Sequence, residues 1–312
     1  MSIIEKAITK LDQNKGVATT SAALPTTMPA AVPETVAAGP EPARASGRQA
    51  AAQRRPVKPH LVDNQNVKAV EIDLDLLRQY GMVTPDAERS AIAQEFRRIK
   101  RPLLDKIFNP ANANVRHNNL VMIASSLPGE GKTFCAVNLA ISIALEMDHT
   151  VLLVDADVAR PSVPRYLRAA QNDQPEFKLG LLDILLDNGL DVADAMLRTN
   201  IDTLTLLRAG MHHKYATELL ASKAMNHLLD EVSNRYPDRV ILFDSPPLLV
   251  STEARVLASQ MGHIVLVVEA ESTTQHALKE VLDQLKSTAN VSFVFNKAKE
   301  LTGSDYYGEY YG

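Results

Sequence analysis

Leu120-Val121-Met122-Ile123-Ala124-Ser125 runs straight into Ser126-Leu127-Pro128-Gly129-Glu130-Gly131-Lys132-Thr133-Phe134, and the reading of this junction decides the fold. The first six residues form an apolar run without polar alternation, as expected of a strand covered on both faces. From Lys132 to Glu146 the apolar residues keep helical spacing, so the glycine-rich turn joins a strand to a helix. Phosphate oxygens bind where backbone N–H groups converge at a helix N-terminus. Such a cradle needs a glycine where the backbone must approach, here Gly131, a lysine to offset the outer phosphate charge, here Lys132, and a hydroxyl for a divalent cation, here Thr133. The candidate phosphate-contacting residues are Ser126, Pro128, Gly129, Glu130, Gly131, Lys132, Thr133 and Phe134. The Walker A pattern opens on glycine; Ser126 stands in that place, and the strand before and helix after carry the assignment.

Downstream, apolar runs at 150–154, 203–207, 239–243, 264–269 and 291–295 alternate with helical patterns. They are rich in Val, Ile and Leu, which predicts an α/β fold of the P-loop NTPase class, a mostly parallel sheet sandwiched between helix layers. Ligands of such sheets bind at the carboxyl ends of the strands. There the sequence places Asp155 and Asp157 behind one run and Asp244 behind another. Asp155 and Asp157 are two apart, so in an extended segment both face the same side, toward a metal and a transferring phosphoryl group. Upstream, Thr84-Pro85-Asp86-Ala87-Glu88 predicts a helix start that runs to about Arg101, where Pro102 ends it. The segment EIDLDLLRQYG at 71–81 mixes strand and helix character.

The chain is 312 residues long, 46% hydrophobic and 22% charged, which excludes a wholly disordered, collagenous or membrane-embedded protein. A net charge of −4 gives no global field to collect nucleic acid, and no nucleic-acid partner is expected. Cys135 is the single cysteine, so no intramolecular disulfide forms and a reducing cytoplasm is the expected compartment. The opening residues lack the pattern of a secretory signal, and no stretch approaches 18 apolar residues in a row. Residues 1–12 place Ile3, Ile4, Ala7, Ile8 and Leu11 on one face of a short amphipathic helix. Residues 13–69 read as an Ala/Pro-rich disordered linker, 70–300 as the P-loop domain and 301–312 as a tyrosine-rich tail carrying Tyr306, Tyr307, Tyr310 and Tyr311. Cys135 reads as a small core residue and His212-His213 as loop residues. Asn296-Lys297 reads either as a base contact or as a plain strand end.

In this order, SLPGEGKT, LLVDAD with Arg160-Pro161 behind it, and ILFDSPP resemble the bacterial tyrosine kinases, built on a P-loop ATPase fold. The resemblance covers about residues 84–312. It extends to Glu95, Arg98 and Arg101, which match an E-x-x-R-x-x-R motif of ring-like self-association, and to the four terminal tyrosines, which resemble the family's autophosphorylation cluster. The family's basic residue after D-x-D-x falls at Ala159 here, with the arginine one place later. The resemblance implies ATP and Mg²⁺ as cofactors, Lys132 and Thr133 on phosphate and metal, and Asp157 and Asp244 at the metal. Asp155 is the expected general base, although it and Asp157 could exchange roles. It further implies tail phosphorylation between subunits, a separate membrane activator of the chain-length-determinant type, a cognate tyrosine phosphatase and control of exopolysaccharide synthesis or export. The location implied is cytoplasmic, at the inner face of the plasma membrane through that partner. The long linker and N-terminal helix resemble autokinases of exosortase-linked systems. Two rival readings are a partitioning or positioning ATPase, which carries a signature lysine at the place of Leu127 and no tyrosine tail, and a non-catalytic interaction module.

Overall fold

Strands form where the apolar runs allow burial on both faces. In the computed structural model these are β1 (Ala69–Val70), β2 (Leu120–Ser125), β3 (Thr150–Asp155), β4 (Met196–Thr199), β5 (Leu204–Leu207), β6 (Arg239–Asp244), β7 (His263–Glu269) and β8 (Val291–Asn296). The structure describes residues 68–298 other than 88, 113, 168–177, 188 and 287–289. The chain divides into two units, Met1–Gln53 and Arg54–Gly312, and every described residue belongs to the second. The expected helix 1–12, nearly all of the stretch 13–69 and the tail with Tyr306, Tyr307, Tyr310 and Tyr311 lie outside the described residues.

The strands make one sheet in the order β1-β4-β5-β3-β6-β2-β7-β8, and every neighbouring pair is parallel except β4 and β5. This is the mostly parallel arrangement that the apolar runs predict. Strands β1 and β4 add to the predicted set; two residues, or the four of Met-Leu-Arg-Thr, are too short to show a period. Helices cover both faces: α1 (Leu74–Gln79), α2 (Ala91–Ile107), α3 (Lys132–Ala144), α4 (Val163–Tyr166), α5 (Leu181–Leu186), α6 (Val192–Ala195), α7 (Ala216–Leu220), α8 (Lys223–Arg235), α9 (Thr252–Ala258) and α10 (Gln275–Gln284). Alternate strand residues feed two cores. Val121, Ile123, Val151, Leu153, Val240 and Leu242 pack with Phe96, Leu104, Leu139 and Ile143 on one side. Leu120, Met122, Leu152, Ile241 and Phe243 pack with Leu181, Leu228, Leu229 and Leu257 on the other. Each such side chain contributes about 1.5–3 kcal/mol of burial.

Two expectations upstream are corrected. Thr84 does not cap a helix: residues 84–87 form a turn in which the Ala87 N–H donates to the Thr84 carbonyl at 3.1 Å, and the Val83 N–H is held by Asn138 Oδ1 of α3 at 2.7 Å. Arg78 pairs with Asp86, drawing that acid toward α1. The helix starts instead at Ala91, where Ser90 Oγ accepts the Ala93 N–H at 3.3 Å. Nor does Pro102 end it. The ring sits on the exposed face while Leu103, Leu104 and Ile107 bury on the other, and α2 continues to Ile107 because this burial outweighs the lost backbone bond. The segment 71–81 resolves as α1, capped by Asp73. Among the described residues no helix is long and apolar enough to cross a membrane.

Candidate active site

The turn after β2 folds as its glycines require. Gly129 and Gly131 adopt φ of +90° and +93°, the left-handed region that glycine enters without a Cβ penalty. At Gly131 a Cβ would lie 2.0 Å from Asn296 Nδ2, so glycine is demanded twice. No side chain caps α3, which leaves its first N–H groups for an anion. The loop is braced from beside β7 and β8: Asn296 Nδ2 donates to the Glu130 carbonyl at 2.9 Å, and Lys297 Nζ to the Gly129 carbonyl at 2.9 Å. Lys297 also pairs with Glu269 at 3.0 Å. The Glu130 carboxylate turns inward, accepting the Leu127 N–H at 2.8 Å and the Thr273 hydroxyl. Its side chain therefore shapes the loop. Phe134 packs edge-on against Phe96, centroids 6.3 Å apart, which leaves its backbone for the phosphate side. Pro128 and Gly129 are exposed at the loop tip, while Ser126 is buried with its hydroxyl unpartnered.

Sheet register assembles the acids. Asp155 and Asp244 are partners across β3 and β6, and both are 0% exposed. Thr133 Oγ1 donates to Asp244 Oδ2 at 2.7 Å and lies 3.1 Å from Ser162 Oγ. Lys132 Nζ pairs with Asp157 Oδ2 at 2.9 Å. Asp155 Oδ2 accepts the Ser162 and Val163 N–H groups, each at 3.0 Å, while Asp155 Oδ1 and Asp244 Oδ1 have no partner. Burial first, then the Asp244 and Asp157 charges, push the Asp155 carboxyl up to about 8. Burial pushes Asp244 up to about 6 against the pull of Lys132 and Thr133. Burial works against the Lys132 charge, yet the attraction of Asp244, Asp157 and Asp155 holds its pKa above the ordinary value.

Three carboxylates thus share one lysine, and one oxygen each of Asp155 and Asp244 is buried without a partner, Asp244 bonding Thr133 through its other oxygen. That donor set fits a hard divalent cation. Among the described residues no group of three His, Cys, Asp or Glu is arranged to hold a metal alone. Mg²⁺ keeps waters and is held through one or two carboxylates plus substrate phosphates, a role that the paired Asp244 and Thr133 suit.

The structure brings together Lys132, Thr133, Asp155, Asp157 and Asp244, as the strand-end reading expects. It sets Glu95, Arg98 and Arg101 apart, exposed along one stripe of α2. Arg160 gives Asp157 only its backbone N–H, to the carbonyl at 2.9 Å and to Oδ1 at 3.3 Å, and the residue is exposed. Cys135 is buried, and burial pushes its thiol up to about 12, so it is a core residue. His213 Nδ1 accepts the Tyr215 N–H at 3.3 Å within a loop. Sequence reasoning missed Ser162 and Thr273. No spacing rule ties Ser162 to Thr133 or Thr273 to Glu130, since packing across the sheet makes both contacts.

A family profile described as an AAA domain matches residues 118–297. EpsB of Ralstonia solanacearum is 32% identical over 198 residues, 62% of this chain. The chain spans only 25% of EpsB. The tyrosine-protein kinase YwqD of Bacillus subtilis is 33% identical over 200 residues, covering 63% of this chain and 79% of YwqD. The kinase domain of the Escherichia coli tyrosine kinase ETK superimposes with a TM-score of 0.57 at 20% identity, covering 75% of this chain and 92% of that domain, a likeness of fold. The strand-end acids, the glycine cradle and these matches lead to one conclusion: the chain belongs to the AAA-domain P-loop proteins and, within them, to the bacterial tyrosine-kinase family.

Proposed function

We propose that this protein is an ATP-dependent protein-tyrosine autokinase that phosphorylates Tyr306, Tyr307, Tyr310 and Tyr311, one subunit acting on the tail of the next. The observation that carries this reading is the buried cluster of Lys132, Thr133, Asp155, Asp157 and Asp244 at the strand ends. The N–H groups of the 126–134 loop bind the ATP phosphates. Lys132 binds the transferring phosphoryl group, exchanging its bond to Asp157 for phosphate oxygens. Thr133, Asp157 and Asp244 would hold Mg²⁺, which when bound supplies positive charge against the phosphate oxygens. Asp155 Oδ1, unpartnered, accepts the phenolic proton while the Ser162 and Val163 N–H groups fix the other oxygen. The Lys132 charge, and the charge Mg²⁺ supplies when bound, favour the ionised carboxylate that takes this proton, and phosphoryl transfer asks for positioning more than for strong basicity. Asp157 is engaged by Lys132 and fits the base role less well.

The exposed Glu95, Arg98 and Arg101 stripe is the surface for ring-like self-association. A separate membrane protein of the chain-length-determinant type is the proposed activator, and it would hold the kinase at the inner membrane face. A tyrosine phosphatase would reset the tail, and exopolysaccharide synthesis or export is the process served. Purified full-length protein with ATP and Mg²⁺, with and without the cognate activator, is to be analysed by phosphotyrosine mass spectrometry. Tail tyrosine phosphate is expected in the wild type and absent in Lys132→Met. Wild-type protein that hydrolyses ATP yet never labels its tail would leave a nucleotide-driven switch instead.

A further inference from the structure

A pocket of about 360 Å³ opens beside the catalytic cluster, lined by Tyr80, Met82, Phe134, Arg165 and Tyr166. Its walls are extensions of the site itself. Phe134 directly follows Thr133, and Arg165 and Tyr166 lie in α4, whose first N–H groups hold Asp155. The α4 backbone rises about 5 Å from those N–H groups to Tyr166, which together with the 3.0 Å bond to Asp155 puts the pocket wall roughly 8 Å from that carboxyl, with the pocket beyond it. Three of its five lining residues are aromatic, one is a thioether, and the Arg165 guanidinium stands at 5.8 Å over the Tyr166 ring. A phenol ring fits such a slot by stacking, sulfur contact and cation–π attraction.

We propose that this pocket holds a second tyrosine of the acceptor segment while the first sits at the transfer site, the segment being 304–312 of a neighbouring copy. The proposal rests on the autokinase reading and names how its acceptor is recognised. An extended peptide rises about 3.3 Å per residue, so side chains three or four residues apart are about 10–13 Å apart. Tyr306 and Tyr310, like Tyr307 and Tyr311, are four apart and so share one face of the extended segment about 13 Å apart, long enough to reach from the transfer site past the wall into the pocket. Charge agrees as well: Asp305 and Glu309 flank the tyrosines, and Arg165 is exposed at the pocket. Ten residues separate Asn296 from Tyr306, up to about 35 Å extended, so reach admits either tail, and the second copy follows from the between-subunit reading proposed above.

The test uses full-length enzyme and two synthetic peptides of residues 299–312. Both keep Tyr310 as the sole acceptor and carry Tyr311→Phe; one has Phe at 306 and 307, the other Ala. With wild-type enzyme the Ala peptide is expected to show a KM about tenfold higher than the Phe peptide, with kcat within about twofold. In Arg165→Glu, an exposed substitution, and in Tyr166→Ala, that difference should collapse while the KM for ATP stays put. Equal KM values for the two peptides in the wild type would overturn the pocket and leave the kinase reading standing. Should no phosphate reach either peptide or the chain, the kinase reading fails, and fluorescence anisotropy of the labelled peptides decides the pocket. Tighter binding of the Phe peptide, lost in Arg165→Glu, upholds it; equal binding sinks it.

Discussion

Asp155 shows how one side chain couples stability to chemistry. In the folded chain burial and the facing acids hold its proton up to about 8, whereas an ordinary aspartate releases it near 3.8. Between those values the folded state binds more protons than the unfolded state, so this group lowers stability as pH rises across the window. Asp155→Asn keeps an oxygen to accept the Ser162 and Val163 N–H groups and removes the charge. The variant, free of metal and nucleotide, should melt at least about 3 °C above the wild type at pH 8.5, with the gap closing toward pH 4. It should also lose tyrosine phosphorylation. A melting shift of equal size at every pH would show that the charge is not its source. Glu130 carries a second lesson at this scale. An acid in a phosphate loop is tolerated because its carboxylate turns away from the phosphate side, onto the Leu127 N–H and the Thr273 hydroxyl.

At the scale of an element, α2 is the informative case. Its buried face, Ala93, Phe96, Leu103, Leu104 and Ile107, packs on the phosphate-loop helix α3, and the buried Lys100 adds bonds to the Ser142 carbonyl at 2.5 Å and to Glu146 at 2.7 Å. Such contacts carry the helix through Pro102, which a propensity argument places at its end. The proline still costs the helix a backbone bond to Arg98. Pro102→Ala should therefore stabilise the protein by about 1–2 kcal/mol, the gain in helix propensity less the lost stiffness of the unfolded chain, read as a shifted urea midpoint at unchanged slope. A midpoint below that of the wild type would show that the proline ring is itself needed for packing.

Across the whole molecule, strand order puts the phosphate loop after β2, the acids after β6 and β3, and the bracing residues Asn296 and Lys297 after β8. The bracing residues and the acids thus flank the phosphate loop from opposite sides of the sheet. The acid–base stripe of Glu95, Arg98 and Arg101 is exposed on α2, and the self-association proposed for it can be tested directly. Arg98→Glu combined with Arg101→Glu should shift the light-scattering mass of any assembly toward the monomer and depress tail phosphorylation, with circular dichroism unchanged. An assembly of unaltered mass would retire that stripe as the interface.

Much of this was legible before folding. The phosphate loop declares itself in eight consecutive residues, Ser126 to Thr133, because one strand–turn–helix unit does all the phosphate binding locally. The unalternated runs declare a doubly covered sheet, and Asp155, Asp157 and Asp244 follow those runs directly. Other features were not legible, since they join residues far apart in the chain. The starting point of α2, the strands β1 and β4, the Ser162 hydroxyl beside Thr133 and the Asn296 amide against Gly131 all depend on what packs where. The sequence by itself determined the phosphate-loop pattern and the fold class, because both are written in local residue types and period. Only the tertiary structure decided that Asp155 and Asp244 each keep an orphaned oxygen and a raised carboxyl, because register across β3 and β6 and burial at the carboxyl ends of these central strands set the field there.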